Sequence, residues 1–199
     1  DVKWAGEQIR TFDDWKGIMT GLAEKAVSDE RWINAAFYYR AAEFFVLSSD
    51  PDKERLYDRF SSLVYEKAFA GEPIERSLVP YGGSYLPALR IPSAQTTARG
   101  TIVIHGGFDS FIEEWYSCAT FFAAKGFDVI MFEGPGQGAA LKKAGLPLTH
   151  EWEKPVGAIL DYFGLTDVTL LGISMGGWMC LRAAAFEPRI KRVIASSIA

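Results

Sequence analysis

The sequence predicts an α/β fold, with a mostly parallel sheet flanked by helices, preceded by an N-terminal all-helical domain. Helical periodicity runs from residue 11 to residue 70, and strand and helix patterns alternate from residue 101 onwards. The continuously apolar run Val-Ile-Met-Phe at residues 129–132 indicates a strand buried on both faces, which is typical of a parallel sheet covered by helices. We place the boundary between the two domains after residue 72.

The composition is that of an ordinary globular protein. The 199 residues are 49% hydrophobic and 23% charged, with a formal net charge of −4. The basic residues form no cluster, so we expect neither nucleic acid nor a membrane surface as a partner. No apolar run approaches the roughly 20 residues of a membrane span, and the first residues lack the order of a signal peptide. We therefore expect a cytoplasmic protein.

Three helices are predicted in the N-terminal domain, residues 1–72. Thr11 is placed to cap the first helix, and the second covers residues 31–47. Asp50 is expected to cap the third helix, with Pro51 at its first position. Two roles stay open for this array, which is either a packing domain or a cap that covers the active site and shapes a substrate pocket.

An antiparallel hairpin is predicted to open the second domain, residues 73–199. The pair Gly82-Gly83 can adopt the positive φ angles of a tight turn. Strands are then predicted at residues 101–104, 127–132, 167–173 and 192–198, and helices at 114–125, 151–163 and 176–186. In such sheets, functional residues collect beyond the carboxyl ends of the strands.

Ser174 is the candidate nucleophile. It is the centre of the pattern G-x-S-x-G at residues 172–176, which lies between a predicted strand and a predicted helix. In this context the pattern indicates a nucleophile elbow, because the flanking glycines permit a strained turn that projects the serine hydroxyl above the sheet edge. The alternative is an inert serine in a tight strand-to-helix turn.

The segment His-Gly-Gly-Phe-Asp-Ser at residues 105–110, which we name the HGG loop, follows the first parallel strand. Its glycines leave the backbone N–H of Gly107 or Phe108 free to point at a carbonyl oxygen. The N–H of Met175, directly after the serine, would supply the other half of an oxyanion hole. Asp109 is a candidate for orienting the substrate, with capping of loop amides as its alternative role.

The segment Glu-Gly-Pro-Gly-Gln-Gly at residues 133–138, which we name the GPG turn, follows the next strand. It lacks the spacing of a phosphate-binding loop, so a structural turn is predicted, with Glu133 and Gln137 bonded to loop amides. Of the two histidines, His105 is expected to hold its loop, and His150 precedes Ser174, against the order Ser, acid, His. No metal ion and no cofactor are predicted, because the histidines and cysteines show no ligand spacing.

The HGG loop, the GPG turn, the elbow at Ser174 and the N-terminal helices resemble α/β-hydrolases related to 2,6-dihydropseudooxynicotine hydrolase and to acylaminoacyl-peptidase-like esterases. The resemblance implies an α/β-hydrolase fold, a helical cap and a Ser-Asp-His triad. It also implies a carboxylate near the site, for which Asp109 is the nearest match by position. The family's acid and histidine would follow residue 199, so we expect part of a longer enzyme, without the C-terminal part of the hydrolase fold and inactive by itself.

The main hypothesis is a serine hydrolase that acts on an ester, an amide or a related small-molecule carbonyl substrate. Two alternatives stay open. One is a carbon–carbon bond hydrolase of the same fold, and the other is a non-catalytic interaction module whose helices bind a partner and whose elbow is vestigial. The identity of the substrate and the formation of a homodimer also stay open.

Overall fold

The computed structural model describes residues 1–197 and divides into two compact units, Asp1–Glu72 and a second unit that begins at Pro73. The first unit is helical. Its elements are α1 (Val2–Gln8), α2 (Phe12–Ser28), α3 (Trp32–Phe44), α4 (Asp52–Leu63) and a π-helical turn (Val64–Ala68). Helix α1 is absent from the sequence prediction because Ala5 is its one buried residue, which leaves no hydrophobic periodicity to read.

Helix caps in the first unit follow the sequence closely. Thr11 caps α2 as predicted, because its hydroxyl accepts the Asp14 N–H at 3.1 Å while the Asp14 carboxylate accepts the Thr11 N–H at 2.9 Å. Helix α4 begins at Asp52, one residue later than predicted. The Asp50 carboxylate nevertheless accepts the Asp52 N–H at 2.9 Å, so it satisfies an amide of the first turn.

Small side chains line the packing face of α3. Ala35, Ala36 and Ala42 are fully buried, which allows the backbones of neighbouring helices to approach closely. Leu56 and Phe60 of α4 are buried in the same unit. The small residues of α3 and the apolar stripe of α4 therefore contribute to the core of this array.

The second unit contains a six-stranded sheet in the order β1-β2-β4-β3-β5-β6. Strands β1 and β2 form the predicted antiparallel hairpin, β2 pairs antiparallel with β4, and the pairs from β4 to β6 are parallel. The mostly parallel sheet is confirmed. The strands are β1 (Glu75–Tyr81), β2 (Ser84–Ile91), β3 (Thr101–His105), β4 (Asp128–Phe132), β5 (Val168–Ile173) and β6 (Ile190–Ser196).

Local backbone geometry explains the turn of the hairpin. Gly82 and Gly83 have φ angles of 57° and 77°, which is the left-handed conformation that a two-residue I′ turn requires.

Strand β6 begins two residues earlier than the predicted range 192–198 and is described as far as Ser196. Position 198 of that prediction lies outside the described residues.

Helices flank the sheet on the chain segments between the parallel strands. The predicted helix 114–125 begins as a 3-10 turn (Ile112–Trp115) and continues as α5 (Tyr116–Ala124). The short α6 (Gly138–Lys142) directly follows the GPG turn and was not expected from the sequence. Helices α7 (Glu153–Tyr162) and α8 (Gly176–Phe186) occupy the predicted positions.

The core of the second unit lies around the central strands. Phe132 of β4, Leu170 of β5 and Trp152 just before α7 are fully buried. Strand β6 is the last strand of the sheet within the described residues, and Ile194 on it is 42% exposed.

Cys180 is buried, Cys118 is half-buried, and both are free thiols. Among residues 1–197, no helix combines the length and apolar character needed to cross a bilayer.

Candidate active site

Ser174 occupies the tip of the turn between β5 and α8. Its φ angle is 59°, a left-handed conformation that costs free energy for a residue with a side chain. Two backbone hydrogen bonds hold it there, since its N–H donates to Ser196 O at 2.9 Å and its carbonyl accepts the Gly177 N–H at 2.8 Å. The serine is exposed, so the strained turn presents its hydroxyl at the protein surface.

The two elbow glycines are required by close backbone approaches. A Cβ atom at Gly172 would overlap the carbonyl oxygen of Gly176, and one at Gly176 would lie 2.5 Å from Gly106 O. Any larger residue at either position would push the start of α8 away from β5 or from the HGG loop. The predicted reason for both glycines therefore agrees with the observed packing.

The HGG loop lies directly against the elbow. A Cβ atom at Gly107 would lie 3.2 Å from both Ser174 Oγ and the Met175 N. Within residues 1–197, the N–H groups of Met175 and Phe108 donate to no backbone carbonyl outside the regular helices and strands. The structure thus brings Gly107 and the Met175 N–H next to the predicted nucleophile. The side chain of Phe108 is 61% exposed, and Asp109 beside it is also exposed.

His105, the first residue of the HGG loop, is buried, and both of its ring nitrogens accept or donate a hydrogen bond. Nδ1 lies 3.0 Å from Gly106 O, and Nε2 lies 3.2 Å from the indole nitrogen of Trp152. The carbonyl can only accept and the indole N–H can only donate, so the neutral tautomer with the proton on Nδ1 is assigned. Complete burial lowers the pKa of His105 to about 4. The predicted structural role of this histidine follows, and a role as general base is excluded.

Gln137 joins the GPG turn to the HGG loop. Its side-chain nitrogen donates to Gly106 O at 2.7 Å and to Gly107 O at 2.5 Å, while its side-chain oxygen accepts the Gly134 N–H at 2.9 Å. The residue is buried. The predicted bond to a loop amide is present, and two further bonds cross to the neighbouring loop.

Glu133 is a buried carboxyl group at the start of the GPG turn. Its two oxygens accept the N–H groups of Ile112 at 3.2 Å and Ala139 at 2.6 Å. Burial, followed by the charge of Glu113, raises the pKa of Glu133 to about 8 in spite of these bonds. Glu133 therefore connects the GPG turn, the 3-10 turn after the HGG loop and the start of α6.

Within residues 1–197, Ser174 Oγ forms no hydrogen bond to either histidine. His150 lies in an exposed position of the segment between α6 and α7. The same residues contain no cluster of three His, Cys, Asp or Glu side chains that could hold a metal ion.

Two buried contacts at the site could not be read from the sequence. They are the bond from Trp152 to His105 and the bonds from Gln137 to the HGG loop, which join residues 47, 31 and 30 positions apart. The sequence did contain one indication that these segments meet. The HGG loop follows β3 and the GPG turn follows β4, and the carboxyl ends of neighbouring parallel strands lie side by side.

Comparison with known sequences identifies the fold family. Residues 101–198 match the α/β-hydrolase fold family. The chain is 34% identical over 218 residues to hydrolase acrC of Aspergillus aculeatus, covering 94% of this chain and 50% of that protein. It is 33% identical over 215 residues to 20-hydroxy-prefusarin hydrolase FUS2 of Gibberella moniliformis, covering 93% and 50%. The chain spans about half the length of these curated relatives.

Solved structures share the fold. Wild-type AbyA5 superposes with a TM-score of 0.83 at 22% identity, covering 96% of this chain and 56% of that chain. The 2,6-dihydroxy-pseudo-oxynicotine hydrolase superposes with a TM-score of 0.70 at 24% identity, covering 92% and 56%. These structures show the fold alone, and the sequence matches show that the chain belongs to the α/β-hydrolase superfamily.

Proposed function

We propose that the protein is a serine hydrolase that cleaves an ester, an amide or a related small-molecule carbonyl substrate. Ser174 is the nucleophile of this proposal. The observation that carries it is the placement of an exposed serine, at a φ of 59°, beside Gly107 and the Met175 N–H. The names of the related fungal proteins, which are hydrolases, agree with it.

In the proposed reaction, Ser174 Oγ attacks the substrate carbonyl carbon and the carbonyl oxygen becomes an oxyanion. The N–H of Met175 and the N–H of Gly107 or Phe108 donate to that oxygen. Such donors act in the transition state, where the negative charge develops, and removal of one typically costs on the order of 10² to 10³ in rate. The leaving group departs to give an acyl-enzyme, which water then hydrolyses.

The serine proton must be transferred as the hydroxyl attacks, because a serine hydroxyl is a poor nucleophile at neutral pH. His105 is unsuitable for this step, since its Nε2 already accepts the Trp152 N–H and its pKa is lowered to about 4. The proposal therefore assigns the general base to a group other than His105. A candidate must reach Ser174 Oγ from the exposed side of the elbow.

The test is covalent labelling of the full-length natural protein with a fluorophosphonate probe. We expect wild type to be labelled and Ser174→Ala to be unlabelled, with p-nitrophenyl ester hydrolysis lost in parallel. Ser93→Ala, at a serine whose backbone N–H bonds Asp128, is the matched control and should label like wild type. Equal labelling of wild type and Ser174→Ala would contradict the assignment of the nucleophile.

A further inference from the structure

The buried side chain of Gln137 makes three hydrogen bonds, and two of them go to consecutive carbonyl groups of the HGG loop. The acceptors are Gly106 O at 2.7 Å and Gly107 O at 2.5 Å. The orientation of the amide is determined, because its oxygen accepts the Gly134 N–H at 2.9 Å. In the flipped orientation, the amide oxygen would face two carbonyl oxygens and the NH₂ group would face the Gly134 N–H, so like groups would oppose each other.

These two carbonyls belong to the peptide groups that contain the candidate oxyanion donors. The carbonyl of Gly106 shares a planar trans peptide with the N–H of Gly107, and the carbonyl of Gly107 shares one with the N–H of Phe108. In a trans peptide the N–H points opposite to the C=O. Holding both carbonyl oxygens on Gln137 therefore fixes both N–H groups on the side of each peptide that faces away from Gln137.

A second contact supports the same orientation. Gly106 O also lies 3.0 Å from His105 Nδ1, whose tautomer is set by the bond from Trp152 to Nε2. The other side of the loop meets the elbow, where a Cβ atom at Gly107 would lie 3.2 Å from Ser174 Oγ. The HGG loop is thus held between buried donors on one side and the exposed serine on the other.

We propose that Gln137 is a positioning residue for the oxyanion hole, acting through the peptide groups of Gly107 and Phe108. This inference rests on the proposed serine hydrolase function. Gln137 touches neither substrate nor the reacting atoms. Its role requires a side chain that donates twice and accepts once at the same time, which glutamine does and an ionised glutamate of the same shape does not.

The experiment compares Gln137→Glu and Gln137→Met with wild type in the full-length natural protein, using p-nitrophenyl ester hydrolysis. We expect both variants to lower kcat by about ten- to a hundredfold, part of the loss of a whole oxyanion donor, with KM nearly unchanged. For Gln137→Glu the deficit relative to wild type should shrink as pH falls from about 7 to about 5, because a protonated carboxyl regains one O–H donor. For Gln137→Met it should stay constant.

In this pH range, the two buried titratable neighbours of Gln137 keep their charge states and do not contribute to the pH dependence. The pKa of Glu133 is raised to about 8 and that of His105 is lowered to about 4, so neither changes its predominant charge state between about pH 5 and 7. Gln95→Glu is the matched control, because Gln95 is exposed and lies against Gly126, away from the HGG loop. It should behave like wild type at every pH.

The outcomes distinguish the inference from the function on which it rests. Activity that survives Ser174→Ala would contradict the proposed function. Activity that depends on Ser174, together with wild-type kcat in folded Gln137→Met, would overturn the inference alone. If Gln137→Glu does not fold, the kcat and KM of Gln137→Met decide the question.

Discussion

The HGG loop and the GPG turn both follow central strands and are both rich in glycine, but their glycines are needed for different reasons. In the HGG loop, Gly107 leaves room for the exposed Ser174 and for the Met175 N–H. In the GPG turn, Gly134 and Gly138 leave room for buried side chains, since a Cβ atom at Gly134 would overlap the Trp152 ring and one at Gly138 would overlap the Glu133 carboxyl. Glycine therefore keeps backbone donors accessible in one segment and accommodates the core in the other.

Gly107→Ala tests the first half of this comparison and has the largest expected effect. Its added methyl group would lie 3.2 Å from Ser174 Oγ and from the Met175 N, in the space that a substrate oxygen needs. We expect kcat/KM for a p-nitrophenyl ester to fall by about 10²-fold or more. The free energy of unfolding should change by less than about 1 kcal/mol, because Gly107 has no positive φ angle.

Gly17→Ala is the matched control for that variant. Gly17 is exposed in α2, and nothing lies within 4 Å of an added Cβ atom. We expect it to stabilise the helix by up to about 1 kcal/mol and to leave kcat/KM unchanged. Unaltered ester hydrolysis in Gly107→Ala would show that the HGG loop does not contribute to the oxyanion site.

Each segment contains a buried titratable group, and the contributions of these two groups to the free energy of unfolding should change with pH in opposite directions. The pKa of His105, the first residue of the HGG loop, falls from 6.5 to about 4 on folding, so its contribution to stability is present above pH 6.5 and is lost as pH falls towards 4. The pKa of Glu133 in the GPG turn rises from 4.5 to about 8, so its contribution is present below pH 4.5 and is lost as pH rises towards 8.

His105→Asn measures the first of these two contributions. In urea unfolding followed by tryptophan fluorescence, the stability advantage of wild type over His105→Asn should narrow by up to about 3 kcal/mol between pH 6.5 and pH 4. His150→Asn, at the exposed histidine, should show no such pH dependence relative to wild type. A gap between wild type and His105→Asn that is constant with pH would contradict the assignment of a buried neutral imidazole.

Gly134→Ala tests the second half of the comparison and has the smallest expected effect on activity. Its methyl group would overlap the fully buried Trp152 ring. We expect the free energy of unfolding to fall by about 1–3 kcal/mol, which is typical of an overpacked core. The folded fraction should retain its kcat within a few-fold. A large loss of kcat without a loss of stability would mean that the GPG turn takes part in the reaction directly.

The fold was largely predictable because its signals are local. The apolar run of β4, the Gly-Gly turn of the hairpin and the capping box at Thr11 each act over a few residues, and all three are present in the structure. Helices α1 and α6 were not predicted, because seven-residue and five-residue helices give too little periodicity to detect. Element ends shifted by one to three residues: α4 and β6 begin one residue later and two residues earlier than predicted, and α3 ends at Phe44, three residues before the predicted end at residue 47.

The candidate site was predictable only in part. The elbow and the HGG loop could be recognised from their glycines, since strained turns and close backbone approaches require that residue type. The partners of His105 could not, because hydrogen bonds between distant segments leave no periodic trace in the chain. The same holds for Gln137, whose expected bond to a loop amide is present but whose bonds to the HGG loop connect two separate strand ends.

By itself, the sequence determined the strand and helix order, the glycines of the elbow and the identity of the candidate nucleophile, because these depend on backbone geometry within a few residues. Only the tertiary structure decided that His105 is a neutral buried group and that Gln137 holds the HGG loop. Both properties arise when parallel strands β3 and β4 bring their carboxyl ends together and exclude water. Burial and hydrogen-bond partners then determine the charge and orientation of each group, and neither exists before the chain has folded.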